Sequence, residues 1–305
     1  MVALRHRPLL TGALLVGGLV VAFLALVALL ARGPAAGLTR GAGKVAVVEL
    51  TGVILDATDV VRELRRHAAN PAVKAIVLRI DSPGGGVGPS QEIFEEVKRT
   101  RLKERKKVVA SMGAVAASGG LYVALAADRV VANEGSITGS IGVIIQFLNL
   151  EGLGEKIGVR AHVVKSGEFK DIGSPARPMS ENDRRIIQSV VTDVYEQFVA
   201  AIVEERKIPE AEVRKFADGR VMSGRQAKQV GLVDAHGNLW TAIHEAATLA
   251  GIPGEPSVIF PEKPGLSILD LLAGRALGDL SRGLRGLAPE GLLGPSLRFQ
   301  YLLAP

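Results

Sequence analysis

The hydropathy pattern begins with an uninterrupted apolar run. Residues 9–31, LLTGALLVGGLVVAFLALVALLA, hold no charge in 23 positions. As a helix that length crosses a hydrocarbon core of about 30 Å, and it exceeds the roughly 7–15 apolar residues of a secretory leader. The run therefore predicts a transmembrane anchor, with a leader cut near ARGPAAG as the alternative. Arg5 and Arg7 precede the run, which leaves residues 1–8 in the cytoplasm and the bulk of the chain on the far side of a bacterial cytoplasmic membrane. Arg32 and Arg40 weaken that bias. The Gly/Ala/Pro-rich stretch 32–43 reads as a linker.

From residue 44 the pattern changes to short apolar runs alternating with helical periodicity. KVAVVELTGVI (44–54), VKAIVLRID (73–81), KKVVASMG (106–113) and RVVANEG (129–135) read as strands. The second is apolar almost throughout, as in a strand covered on both faces of a parallel sheet. Helices are expected over 56–70, about 91–104, and AVAASGGLYVALAAD (114–128), with Ser118 at or near its first turn. This βαβαβ order predicts an α/β domain with a mostly parallel sheet and right-handed crossovers. VRAHVVKSG (159–167) is expected to add another strand. A long helix follows from Glu181 to Arg206, with Ser180 as N-cap and Ile187, Val191, Val194, Phe198 and Ile202 on one stripe. Ser223 and Gln226 form a capping box for a short helix, and a last helix covers 239–249. The main α/β domain is placed at 44–254. Residues 255–305 read as a partly disordered tail with an amphipathic piece at 266–277.

Composition removes several chemistries. The chain has no cysteine, so disulfides, thiolate nucleophiles and cysteine-bound metals are excluded. Its five histidines show no metal-ligand spacing, and no metal or other cofactor is expected. Of the net charge of +6, four charges lie in residues 1–43, which hold no acid. No basic stripe with interleaved aromatics appears, which argues against a nucleic-acid partner. KRTRLKERKK (98–107) is the one basic cluster and reads as a solvated helix face.

Three features fall where strands turn into helices, the end of an open α/β sheet at which sites gather. DSPGGG (81–86) sets Pro83 before three glycines whose N–H groups can converge on an anion or a developing oxyanion; it also suits a plain tight turn. Ser118, in AVAASGGLYVALAAD, is a lone hydroxyl beside Gly119 and Gly120, suited to be a nucleophile or a simple N-cap. KSGEFKDIGSP (165–175) holds Lys165 and Lys170. A lysine serves as a general base when burial keeps it neutral; otherwise it is a solvated charge.

In order along the chain, DSPGGG, SMGAVAASGGLYVALAAD, GSITGSIGVI, KSGEFKDIGSP and GRVMSGRQAKQVGLVD together resemble the SppA-type signal peptide peptidases. The resemblance covers residues from about 44 to 250 and is closest to the short, single-domain form. It implies a Clp/crotonase-like fold of repeated ββα units, anchored by one N-terminal transmembrane helix. It implies Ser118 as nucleophile and Lys170 as general base. Gly85 and Gly119 would be the oxyanion-hole donors, and Ser140 would orient the lysine. Implied partners are signal peptides already cut from preproteins, other short apolar segments, the membrane, and further copies of the chain, with active sites shared between subunits. Asp171 reads as a structural acid, and His162 has no motif that would make it the base. The alternatives are a crotonase-type acyl-CoA hydratase or isomerase, a catalytically silent membrane scaffold, and a related membrane serine protease with other substrates.

Overall fold

The computed structural model describes residues 43–261 and 300–302, together with Gly18. The expected anchor at 9–31 and the amphipathic piece at 266–277 lie outside the described residues. The first half of the domain runs β1 (Lys44–Thr51), α1 (Thr58–Ala69), β2 (Val73–Ser82), β3 (Gly84–Gly86), α2 (Val87–Leu102) and β4 (Lys107–Ala116). Next come α3 (Gly119–Leu125), β5 (Arg129–Ala132), β6 (Ile137–Gly139), α4 (Glu151–Lys156), α5 (Glu181–Arg206) and α6 (Glu210–Val213). The chain continues through β7 (Val221–Ser223), α7 (Gly224–Gln229), β8 (Ala235–His236), α8 (Leu239–Leu249) and β9 (Ser257–Ile259), with β10 (Gln300–Leu302) described separately.

The principal sheet has the order β7-β6-β4-β2-β1-β9, and β4 branches to β5, which in turn pairs with β8. Its pairs are parallel except β6–β7. The expected mixed α/β class with a mostly parallel sheet is therefore present. Consecutive residues of β2, Ala75 through Leu78, are wholly buried, so helices cover both faces, as the unbroken apolar run requires. β4 is longer than expected and carries the chain to Ala116, two residues short of Ser118.

Ser180 caps α5 with a reciprocal Asp183 bond, and Ser223 and Gln226 form the expected capping box on α7. By length and hydropathy α5 could cross a membrane. Here four of its five stripe positions, Ile187, Val194, Phe198 and Ile202, are buried in the domain. Phe198 meets the Tyr122 ring of α3 edge-on at 5.1 Å. The basic cluster on α2 is more than a solvated face. Lys98 pairs with Glu204 (2.8 Å) and Glu205 (3.0 Å), and Arg101 pairs with Glu205 (2.6 Å). These contacts tie α2 to α5, and α5 in turn backs the helix that follows Ser118.

Three expectations are corrected. Residues 159–167 form no strand, and Val159, Val163 and Val164 are exposed, Val164 completely. The segment lacks a partner edge, so its alternation of apolar residues never finds a sheet. The helix expected from residue 91 begins at Val87 instead, directly after β3. Residues beyond 254 are not simply a tail, because β9 adds to the sheet beside β1 and β10 pairs with β3.

Candidate active site

Ser118 sits between the end of β4 and the start of α3. Its N–H donates to the Gly139 carbonyl (2.9 Å), and its carbonyl accepts from Tyr122 N–H (2.9 Å). Its backbone has φ +52° and ψ −115°, a conformation that side chains rarely adopt and that costs about 1–3 kcal/mol. The hydroxyl caps nothing, which removes the N-cap alternative. It is fully buried and has no hydrogen-bond partner among the described residues. A buried, unpaired hydroxyl costs roughly another 1–3 kcal/mol. Packing alone would be served better by alanine.

The glycine turn beside it differs from the convergent nest expected. Gly84 N–H donates to Ser82 Oγ (3.1 Å), and Gly86 N–H donates to the Ile54 carbonyl (2.7 Å). Ile54 N–H in turn donates to the Gly84 carbonyl (2.9 Å). Strand alternation then turns the N–H and C=O of Gly85 to the edge away from Ile54. One outward donor replaces three. Glycine is required at this position because a Cβ on Gly85 would lie 2.2 Å from the Ile54 carbonyl oxygen. Gly119 is equally tight: its Cβ would stand 2.6 Å from Ser90 Oγ and 3.3 Å from the Gly85 nitrogen. Ser118, Gly85 and Gly119 are thus brought together.

Ser140 is buried one residue after the carbonyl that receives the Ser118 N–H, and it too has positive φ, +52°. Its own N–H donates to the Arg220 carbonyl (2.7 Å). Lys170 lies apart from this cluster. It is exposed; its backbone N–H donates to Gly167 O (3.2 Å), and its side chain bonds neither Ser118 nor Ser140. Lys165 is engaged by Asp171 (2.7 Å) and by the Glu168 carbonyl (2.7 Å). Asp171 also receives Arg177 (2.9 Å), which reaches Asp183 (2.5 Å) at the start of α5. Arg177, with Lys165 second, holds the Asp171 carboxyl far below the usual carboxylate range. Asp171 is therefore a structural acid that clamps the Lys170 segment to α5, and His162 is exposed within the same segment.

Two supporting residues escaped sequence reading. Ile54 aims Gly85 by occupying the opposite edge of β3. Ser90, fully buried, bonds the Gly86 carbonyl (2.8 Å) and packs against Gly119, so it braces both glycine turns at once. Neither position carries a local signal; each matters only through its neighbours in space.

Comparison with known proteins gives the family. Residues 100–253 match the model for Peptidase family S49. A protein of Synechocystis sp., named as an inferred protease, is 44% identical over 210 residues, 68% of this chain and 75% of its own. The chloroplastic serine protease SPPA of Arabidopsis thaliana is 33% identical over 272 residues, 83% of this chain and 40% of its own. Protease 4 of Salmonella typhi is 31% identical over 259 residues, 82% of this chain and 41% of its own, so the aligned region spans well under half of these last two proteins. The match covers Ser118, Gly119, Ser140 and the Lys170 segment but not the glycine turn of β3, and the chain belongs to peptidase family S49, the SppA-type serine peptidases.

Proposed function

We propose that this chain is a membrane-anchored endopeptidase that hydrolyses short apolar peptides, cut signal peptides among them, through a Ser118/Lys170 dyad. The observation that carries the reading is Ser118: strained, buried, unpaired, and set against Gly85 and Gly119. Neutral Lys170 takes the hydroxyl proton as Ser118 Oγ bonds to the peptide carbonyl carbon. The Gly85 and Gly119 N–H groups stabilise the oxyanion. The C–N bond then breaks, Lys170 returns the proton to the leaving amine, and water hydrolyses the acyl ester by the same steps.

The base needs a dry setting, which Lys170 lacks within one chain. Its segment also exposes Leu148, Leu153, Ile157, Val159, Val163 and Val164. An apolar surface of that extent favours a homo-oligomer in which one subunit's Lys170 reaches another's Ser118, with Ser140 orienting it. The anchor at 9–31 would hold this assembly on the outer side of the cytoplasmic membrane.

The test is turnover of an apolar signal-peptide mimic by the full chain in detergent. Ser118→Ala and Lys170→Ala should each lower kcat at least about 10³-fold. Co-assembled, the two inactive variants should regain part of the activity. Wild-type turnover in either variant would sink the dyad. Confirmed mixed oligomers without recovery would place it within one chain.

A further inference from the structure

The ladder between β2 and β4 is regular from Ala75 opposite Lys107 to Ile80 opposite Met112, and there it breaks. Ser82 pairs next with Ala116, so β2 advances two residues while β4 advances four. Asp81 therefore faces Gly113, Ala114 and Val115 together. A bulge of this kind bends its strand and re-aims the side chains beyond it, which is why bulges recur beside active sites. Here the strand beyond the bulge ends at Ala116, and Ser118 follows two residues later. Bulged backbone groups lose their ladder partners and need others. From β2, Arg79 Nη1 donates to the Met112 carbonyl (3.1 Å) and to Ser111 Oγ (3.0 Å), and Asp81 Oδ1 accepts from Val115 N–H (3.0 Å). From the other side, Ser136 Oγ donates to the Gly113 carbonyl (2.6 Å) and Thr138 Oγ1 to the Ala116 carbonyl (2.7 Å). Gly139, next to Thr138, receives the Ser118 N–H (2.9 Å). The Asp81 carboxyl group lies directly over the Gly113 backbone, where a Cβ would stand 2.8 Å from Asp81 Cγ.

These side chains differ in what their loss would leave behind. Ser136 and Thr138 are buried, so removing either hydroxyl strands a carbonyl in the interior and weakens the fold itself. Asp81 is exposed, and water can replace its bond to Val115 N–H. Its loss leaves no buried group unpaired, but it empties the space that the two additional residues of β4 arch around. We propose that Asp81 is a positioning residue: its carboxyl group holds the β4 bulge open and so sets where Ser118 stands against Gly85 and Gly119. Asp81 takes no part in proton transfer, since the Ser118 hydroxyl has no hydrogen-bond partner among the described residues. It acts through its shape and its acceptor oxygen, both of which asparagine reproduces. The inference rests on the peptidase reading for its effect on turnover, though not for the bulge or its contacts.

The experiment compares the full chain with Asp81→Asn, which keeps shape and acceptor, and Asp81→Ala, which keeps neither. Asp81→Ala should lower kcat for an apolar signal-peptide mimic about ten- to hundredfold with KM within about twofold, the order of loss that a misplacement of about 1 Å produces. Its urea midpoint should stay within about 0.5 M of the parent, because the lost bond is exposed. Asp81→Asn should keep kcat within about threefold of the parent. Hydrogen exchange of the Ser118 amide should be at least about tenfold faster in Asp81→Ala and unchanged in Asp81→Asn, while the Val77 amide in the unbroken ladder stays protected in both. Parent kcat in Asp81→Ala would overturn the proposal. A raised KM at constant kcat would make Asp81 a substrate contact, and a lowered urea midpoint would make it a part of the frame; either overturns positioning. Equal losses in Asp81→Asn and Asp81→Ala would show that charge acts and not shape, which overturns it as well. If the parent cleaves no peptide, the peptidase reading fails alone, and exchange at Ser118 still decides whether Asp81 sets its position.

Discussion

The two halves of the candidate site are built in opposite ways. Ser118 is held from every side: β4 delivers it, Gly139 fixes its N–H, α3 continues from it, and Gly85 and Gly119 close against it with no space for a Cβ. Lys170 lies on a segment without sheet or long helix, exposed, and attached chiefly through the Lys165–Asp171–Arg177–Asp183 chain. The sheet can impose strain on Ser118 because the close-packed core around it opposes its relaxation. The lysine half has no such frame among the described residues, and its exposed apolar residues are what the proposed completion by another subunit rests on.

The sharpest way to break this contrast is to add one methyl group in each half. Gly85→Ala should destabilise the domain by about 1–3 kcal/mol, since the new Cβ meets the Ile54 backbone, which cannot yield as a side chain does. Gly167→Ala, three residues before Lys170, meets nothing within 4 Å and should stay within about 0.5 kcal/mol of wild type in urea unfolding. Similar losses at both positions would mean the Lys170 segment is as tightly framed as Ser118.

A second measurement separates folding from assembly. Val164 is fully exposed, so Val164→Asp should leave unfolding within about 0.5 kcal/mol of wild type while weakening self-association in sedimentation and lowering specific activity. Unchanged association would remove the lysine segment from the interface.

The smallest effect concerns acid. Arg177 first, then the Ser180 backbone and hydroxyl, hold the Asp183 carboxyl down at about 2. A depressed carboxyl stabilises the fold above its unfolded value near 4, and that contribution is lost as pH falls from about 4 to 2. The urea midpoint should therefore drop through this window, and Asp183→Asn should show a shallower drop because it has no such proton to take up. Parallel curves for the two proteins would show that the clamp contributes little.

The legible part of this protein was local. Strand runs, the capping box at Ser223, the cap at Ser180 and the stripe on α5 each depend on residues a few positions apart, and each appears as read. Ser118 and its glycines were legible because a hydroxyl among alanines and a glycine run after Pro83 are local departures from packing. Residues 159–167 were misread because alternating valines look alike whether or not a sheet edge receives them. β9 and β10 were unreadable for the same reason, since a three-residue strand is defined by its partner.

Sequence by itself determined the α/β order, the caps, the apolar run at 9–31, and which residue types could carry acyl transfer. Tertiary structure decided that only Gly85 among three glycines faces outward, that Ser118 is strained and unpaired, that the basic cluster of α2 braces α5, and that residues 300–302 lie on the Gly85 edge. The division has a physical cause. Propensity and periodicity act over a few residues, whereas the direction of a backbone N–H depends on which distant strand has already taken the other edge.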